Sequence, residues 1–277
     1  MKKDITFLTA IYTVSLLIGG VGSVVPYQPI RVAIQYLAYA APIFFALAYI
    51  RRRGRVDEDE APFTFGMKRG KIAPTALLIA PAIGLIMLAA ALTSLALTAL
   101  GYEAAEPDRS NFLLGLAIHA LLPALLEELL FRYIPIKILR PRSGRWCVIL
   151  STLFFSLSHL NLFKIPYAAI AGVIFALIDI YAGGVLPSVI IHFLNNALSL
   201  TMMYGYLDGI MPFGFVTIAV SLCALSLIGA LIMKKRYRGL FSPLLHRGDE
   251  PLYLWAPVFF SVCTVLLSLI SLIGSKI

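Results

Sequence analysis

Residues 111–139 read NFLLGLAIHALLPALLEELLFRYIPIKIL, an apolar run of bilayer-spanning length interrupted by Glu127, Glu128, Arg132 and Lys137. In water such a run has nothing to bury it. In a bilayer it is one crossing, because about 20 predominantly apolar residues span the hydrocarbon. Eight further runs of spanning or nearly spanning length accompany it: Ile5–Val25, Val32–Ile50, Ile72–Leu100, Trp146–Leu160, Pro166–Gly183, Val185–Tyr204, Ile210–Met233 and Leu252–Gly274. Lipid offers backbone polar groups no partner, and none of the runs alternates like a barrel strand, so all are helices. The expected fold is all-α, a polytopic transmembrane bundle of about eight or nine spans, with residues 1–277 forming one integral membrane domain.

Composition agrees with this reading. Of 277 residues, 60% are hydrophobic and 13% charged, and the mean hydropathy is +0.90. A soluble domain has no room for that much apolar surface. The formal net charge of +9 does not indicate a nucleic-acid partner, since the cations stand in short runs between apolar segments. Cys147, Cys223 and Cys263 fall inside apolar stretches at no motif spacing, which implies neither a disulfide framework nor a zinc site.

The cations set an orientation. Every second connection is basic: Arg51, Arg52, Arg53 and Arg55 with Lys68, Arg69 and Lys71; then Arg140, Arg142 and Arg145; then Lys234, Lys235, Arg236 and Arg238. The intervening connections hold little positive charge, and residues 103–109 are acidic on balance. By the positive-inside rule the basic connections are cytoplasmic, and so is the N-terminus with Lys2 and Lys3. The expected location is a cell membrane.

Ionisable groups within spans cost at least ~2.5–3.5 kcal/mol at the bilayer centre, so each needs a partner or a purpose. Glu128 and Arg132 share a helical face at i, i+4 and form a neutralising pair, whereas Glu127 points about 100° away, free to meet another helix. His192 and Asn196 share a face of a later span by the same spacing. With 1.5 Å of rise per residue from the cytoplasmic ends, Glu127 lies ~18 Å deep, His159 ~20 Å, Asn196 ~16 Å and His192 ~10 Å. These residues form one polar layer supplied by three spans. Such a layer reads as a catalytic or transport site, with a purely structural hydrogen-bond network as the alternative. His119, ~30 Å from the cytoplasmic end, falls at the outer interface. His246 belongs to a basic loop, Asp179 to an interfacial or network role, and Lys137 to the interface by snorkelling.

Glu127-Glu128-xxx-Arg132, Phe155-xxx-His159 and His192-xxx-Asn196, in that order and each on a span, resemble the motifs of the CPBP (Abi) membrane peptidases. That family includes type II CAAX prenyl endopeptidases and bacteriocin-processing or immunity proteins. The resemblance covers residues 111–204. It implies that Glu127 is the catalytic glutamate, His159 its partner in activating water, His192 and Asn196 the oxyanion pair, and Glu128 and Arg132 structural support. It implies no cofactor and no metal, a membrane-associated or prenylated peptide or protein substrate, and the lipid bilayer as surroundings. Tyr133 departs from the small residue that often follows the motif arginine, which bears on packing near the cytoplasmic mouth and on substrate choice.

Other readings are a non-catalytic scaffold or immunity protein, a proton-coupled transporter, and a zinc-dependent membrane protease ligating metal through Glu127, His159 and His192. No inverted repeat supports the transporter. The zinc reading lacks a His-Glu-x-x-His motif, and Asn196 is an unusual zinc ligand.

Overall fold

The computed structural model describes residues 2–53, 63–101, 111–141, 143–161 and 164–207, with scattered positions between 217 and 264. The described residues form an all-α bundle. Its helices are α1 (Lys2–Ser23), α2 (Gln28–Arg53), α3 (Ile72–Ala99), α4 (Phe112–Leu139, a composite), α5 (Gly144–Ser158), α6 (Ile165–Ala182) and α7 (Leu186–Met203), and a single turn, α8 (Ser242–Leu245). Six of them are long and apolar enough to cross a membrane, and α5 is a shorter apolar helix. The chain is therefore a multi-pass membrane protein. The apolar runs Ile210–Met233 and Leu252–Gly274 lie for the most part outside the described residues, as do Cys223, Cys263 and His246.

Large apolar side chains such as Leu17, Val21, Phe44, Phe45, Leu92, Leu95 and Leu113 face outward. In water a surface of this kind would drive association; in a bilayer it is the lipid face. The inner faces are aromatic. Tyr12 of α1 lies 4.2 Å from Phe154 of α5 and 5.2 Å from Phe131 of α4, centroid to centroid. Where α6 crosses α5, a Cβ on Gly172 would approach Thr152 to 2.9 Å. Glycine there lets the two helices touch by backbone. At the turn between α6 and α7, Gly184 makes a parallel bridge to Thr64 and packs so closely that a Cβ would overlap the Gly66 carbonyl.

The α4 helix is not uniform. It widens into π-helical turns at Leu116–Leu121 and Leu129–Tyr133, and a proline follows each by two residues, Pro123 and Pro135. Proline offers no N–H and its ring clashes with the carbonyl four residues back, so a regular α-turn is unfavourable at both places. In the first π-turn the Leu122 N–H reaches back five residues to the Ala117 carbonyl. In the second, the Ile134 N–H does the same to Leu129. The carbonyl next in line, Ile118 or Leu130, would be served in this pattern by the proline and is left without a backbone donor. A tyrosine supplies each one: Tyr36 of α2 donates to the Ile118 carbonyl, and Tyr12 donates to the Leu130 carbonyl at 3.1 Å. Neither π-turn nor its tyrosine cap was foreseen in the sequence.

Removing a cap should be felt. Tyr12→Phe keeps the ring and strands a buried carbonyl, which costs about 1–3 kcal/mol. Unfolding in detergent, with exposed Tyr27→Phe as the control, checks this; equal stability of the two variants would contradict the capping role.

Candidate active site

The second π-turn begins directly after Glu127 and Glu128. Glu128 and Arg132 are both fully buried, with the Arg132 Nε 3.7 Å from Glu128 Oε2. The pair expected from i, i+4 spacing is present, across a π-turn. Arg132 Nη1 donates to the Phe131 carbonyl at 3.1 Å and to the Ser151 carbonyl at 3.4 Å. The guanidinium also stands 4.3 Å from the Phe155 ring centroid and 5.7 Å from that of Phe175. Cation–π contacts of this kind are strongest where water is excluded. Phe155 thus has a function within its motif, lying against Arg132 and edge-on to both His159 and His192.

His192 changes the division of labour expected from the sequence. Its Nδ1 is 2.8 Å from Glu128 Oε1, so Glu128 serves Arg132 and also orients the histidine. The other edge of the ring faces Glu127, with Nε2 4.0 Å from Glu127 Oε2. Tyr39 of α2 donates its hydroxyl to Glu127 Oε1 at 3.0 Å. Glu127 Oε2 is buried and has no hydrogen-bond partner among the described residues. One carboxylate oxygen is held and the other is without a hydrogen-bond partner.

His159 ends α5. That helix has 15 residues, hence ~22 Å of rise, less than the roughly 30 Å hydrocarbon thickness. The chain then turns through Leu160 at φ 47°. Left-handed backbone at a leucine costs of order 1–3 kcal/mol and persists only where the surroundings enforce it. Non-helical backbone at membrane depth is tolerated where it lines a cavity. His159 Nδ1 is held 2.9 Å from the Phe155 carbonyl, which leaves Nε2 for the interior.

Glu127, His159, His192 and Asn196 all line one cavity of about 1190 Å³. Glu128 and Arg132 lie behind it. His119, assigned to the outer interface without a role, lines the same cavity. Asp179 belongs to the supporting network: it is fully buried and its Oδ1 accepts the Ser188 N–H at 3.1 Å in the first turn of α7, where helix N–H groups lack intrahelical partners. Lys137 is half-buried, and its Nζ donates to the Phe63 carbonyl and the Tyr133 hydroxyl, each at 3.3 Å. Tyr133, the departure from the family pattern, is therefore part of a contact with the connection before α3. Tyr36 and Tyr39 escaped the sequence reading because tyrosines in spans are more often packing or interface residues.

Residues 109–198 match a family model, described as Rce1-like, type II CAAX prenyl endopeptidase. No curated protein and no solved structure matches the chain. The matched segment starts just before α4 and ends within α7, so it holds all seven motif residues and leaves Tyr36 and Tyr39 outside. The resemblance read from the motifs and the family match agree: over this segment the chain is similar to type II CAAX prenyl endopeptidases.

Arg132→Ala should lower stability by about 3–5 kcal/mol, because it leaves Glu128 buried without its cation. Glu127→Ala should cost less, since only the Tyr39 bond is lost. Thermal unfolding in detergent gives the comparison, and a larger loss for Glu127→Ala would reverse the assignment of the two glutamates.

Proposed function

We propose that the protein is an intramembrane endopeptidase in which Glu127, with His159, activates water against a peptide bond of a membrane-associated substrate. The observation that supports this best is the half-engaged Glu127 carboxylate. Tyr39 holds Oε1, while Oε2 has no hydrogen-bond partner among the described residues and lies 4.0 Å from His192 Nε2, in a residue that lines the cavity. A water on Oε2 gives up its proton to Glu127 as its oxygen attacks the carbonyl carbon. The carbonyl becomes an oxyanion met by His192 Nε2 and the Asn196 amide, two donors on one face of α7. Donation from both ring nitrogens makes His192 cationic, and Glu128 against Nδ1 balances that charge. Glu127 then passes its proton to the amide nitrogen, the C–N bond breaks, and a carboxylate and an amine leave.

His159 acts from the end of α5, its ring fixed by the Phe155 carbonyl. The cavity exceeds the roughly 300–1,000 Å³ of small-ligand sites, in keeping with a stretch of polypeptide. Tyr39 is a positioning residue for Glu127.

Hydrolysis of membrane-tethered peptides by the purified protein is the test. Asn196→Ala should slow turnover by roughly 10²–10³ with KM little changed, since its donor matters chiefly in the transition state. Tyr39→Phe should reduce kcat less than this and displace the pH–rate profile, a change that loss of packing alone would not produce. Activity should survive exhaustive chelation; stoichiometric metal with chelator-sensitive, zinc-restorable turnover would overturn the glutamate mechanism in favour of a zinc site.

A further inference from the structure

The cavity reaches one end of the bundle. From Glu127 and His192 its wall runs past His119 to Gln28, Thr98, Lys164 and Met203. Gln28 is the first residue of α2, Lys164 immediately precedes α6, and His119 is in the first third of α4, while Thr98 and Met203 close α3 and α7. All five belong to the same end.

The other end is tied together by different contacts. Tyr49 of α2 donates to Asp4 of α1 at 2.9 Å, Lys137 of α4 to the Phe63 carbonyl, and the Lys68 N–H to the Ala182 carbonyl at the close of α6, at 3.0 Å. This end carries Lys2, Lys3, Arg51, Arg52, Lys68, Arg69, Lys71, Arg140 and Arg145. Among the described residues, the cavity end carries only Arg31 and Lys164. Arg31 is turned onto the chain just after α1, donating to the Val25 and Pro26 carbonyls. Lysine and arginine close to span ends set orientation, and the bias here is large.

Between the site and the basic end the interior is filled. Leu130, Phe131, Arg132, Ile134 and Ile136 are all 0% exposed and Leu139 is 1% exposed. A segment arriving from that end would meet packed side chains before reaching Glu127. From the cavity end the space is open, and its α3 wall is mostly apolar, with the small residues Ala90, Ala91 and Ser94 between Met87 and Leu95.

We infer that the site is reached from the extracytoplasmic side, and that its substrate is an exported or membrane-anchored polypeptide whose scissile segment, of small and apolar side chains, lies in the outer part of the bilayer. The inference rests on the peptidase reading for the reaction and on cavity position and charge for the side. A prenylated cytoplasmic C-terminus, which the matched family's description suggests, would approach from the closed end.

Two measurements on the full chain test this separately. With Cys147, Cys223 and Cys263 replaced by alanine, Thr98→Cys and Ser199→Cys should react with a membrane-impermeant maleimide on sealed cells, and Arg51→Cys only after permeabilisation. The reverse pattern would overturn the inference. A membrane-anchored reporter then displays one apolar segment either outside or inside. Cleavage of the outward form alone, abolished by Glu127→Ala, is expected; cleavage of the inward form alone, equally Glu127-dependent, would overturn the inferred side and leave the peptidase reading standing. Cleavage of neither form would count against the peptidase reading, and the labelling pattern would still decide the side.

Discussion

Glu128 is the charge on which the arrangement depends. One buried carboxylate lies between a guanidinium at 3.7 Å and an imidazole nitrogen at 2.8 Å, and so ties α4 to α7 through the middle of the bundle. Taking such groups out of water costs several kcal/mol per ion unless partners are close. The bundle answers with Phe155 and Phe175 against the guanidinium and with two backbone carbonyls that accept from it. Because Glu128 is occupied in this way, Glu127 one residue earlier is free to face the cavity.

The same constraint governs the backbone. Pro123 and Pro135 each deprive α4 of a donor, π-turns absorb the clash, and tyrosines from α1 and α2 satisfy the carbonyls left over. The second π-turn lies against the two glutamates. π-turns inside α-helices are frequent at functional sites, and here one carries Arg132 round to Glu128. His159 shows a related device: a helix too short to cross, ended by a left-handed leucine, leaves an imidazole at membrane depth.

Much of this was legible in the sequence. Apolar run lengths gave the all-α bundle, and depth along the runs gathered Glu127, His159, His192 and Asn196 into one layer, which the cavity brings together. The i, i+4 spacing anticipated the contact between Glu128 and Arg132. Three things were not legible. Spacing along α4 and α7 says nothing of contacts between them, so the Glu128–His192 bond was missed. Tyr39 reaches Glu127 from a helix outside the motif segment, and one tyrosine in an apolar run carries no signal. Pro123 and Pro135 were visible, but which carbonyls they strand, and what caps them, depends on packing. A depth ruler places a residue along a span but not around it, so the contacts of His119 with the cavity and of Lys137 with Phe63 were not legible either.

The account centres on Glu127 as the group that takes the proton from water. Glu127→Gln retains the shape and the Tyr39 contact and loses the base. Single-turnover incubation of a membrane-tethered peptide with each protein, with bound and cleaved peptide both quantified by mass spectrometry, addresses that claim directly. The expected result is binding comparable to wild type with cleavage lost. Cleavage by Glu127→Gln at a rate near wild type would contradict it.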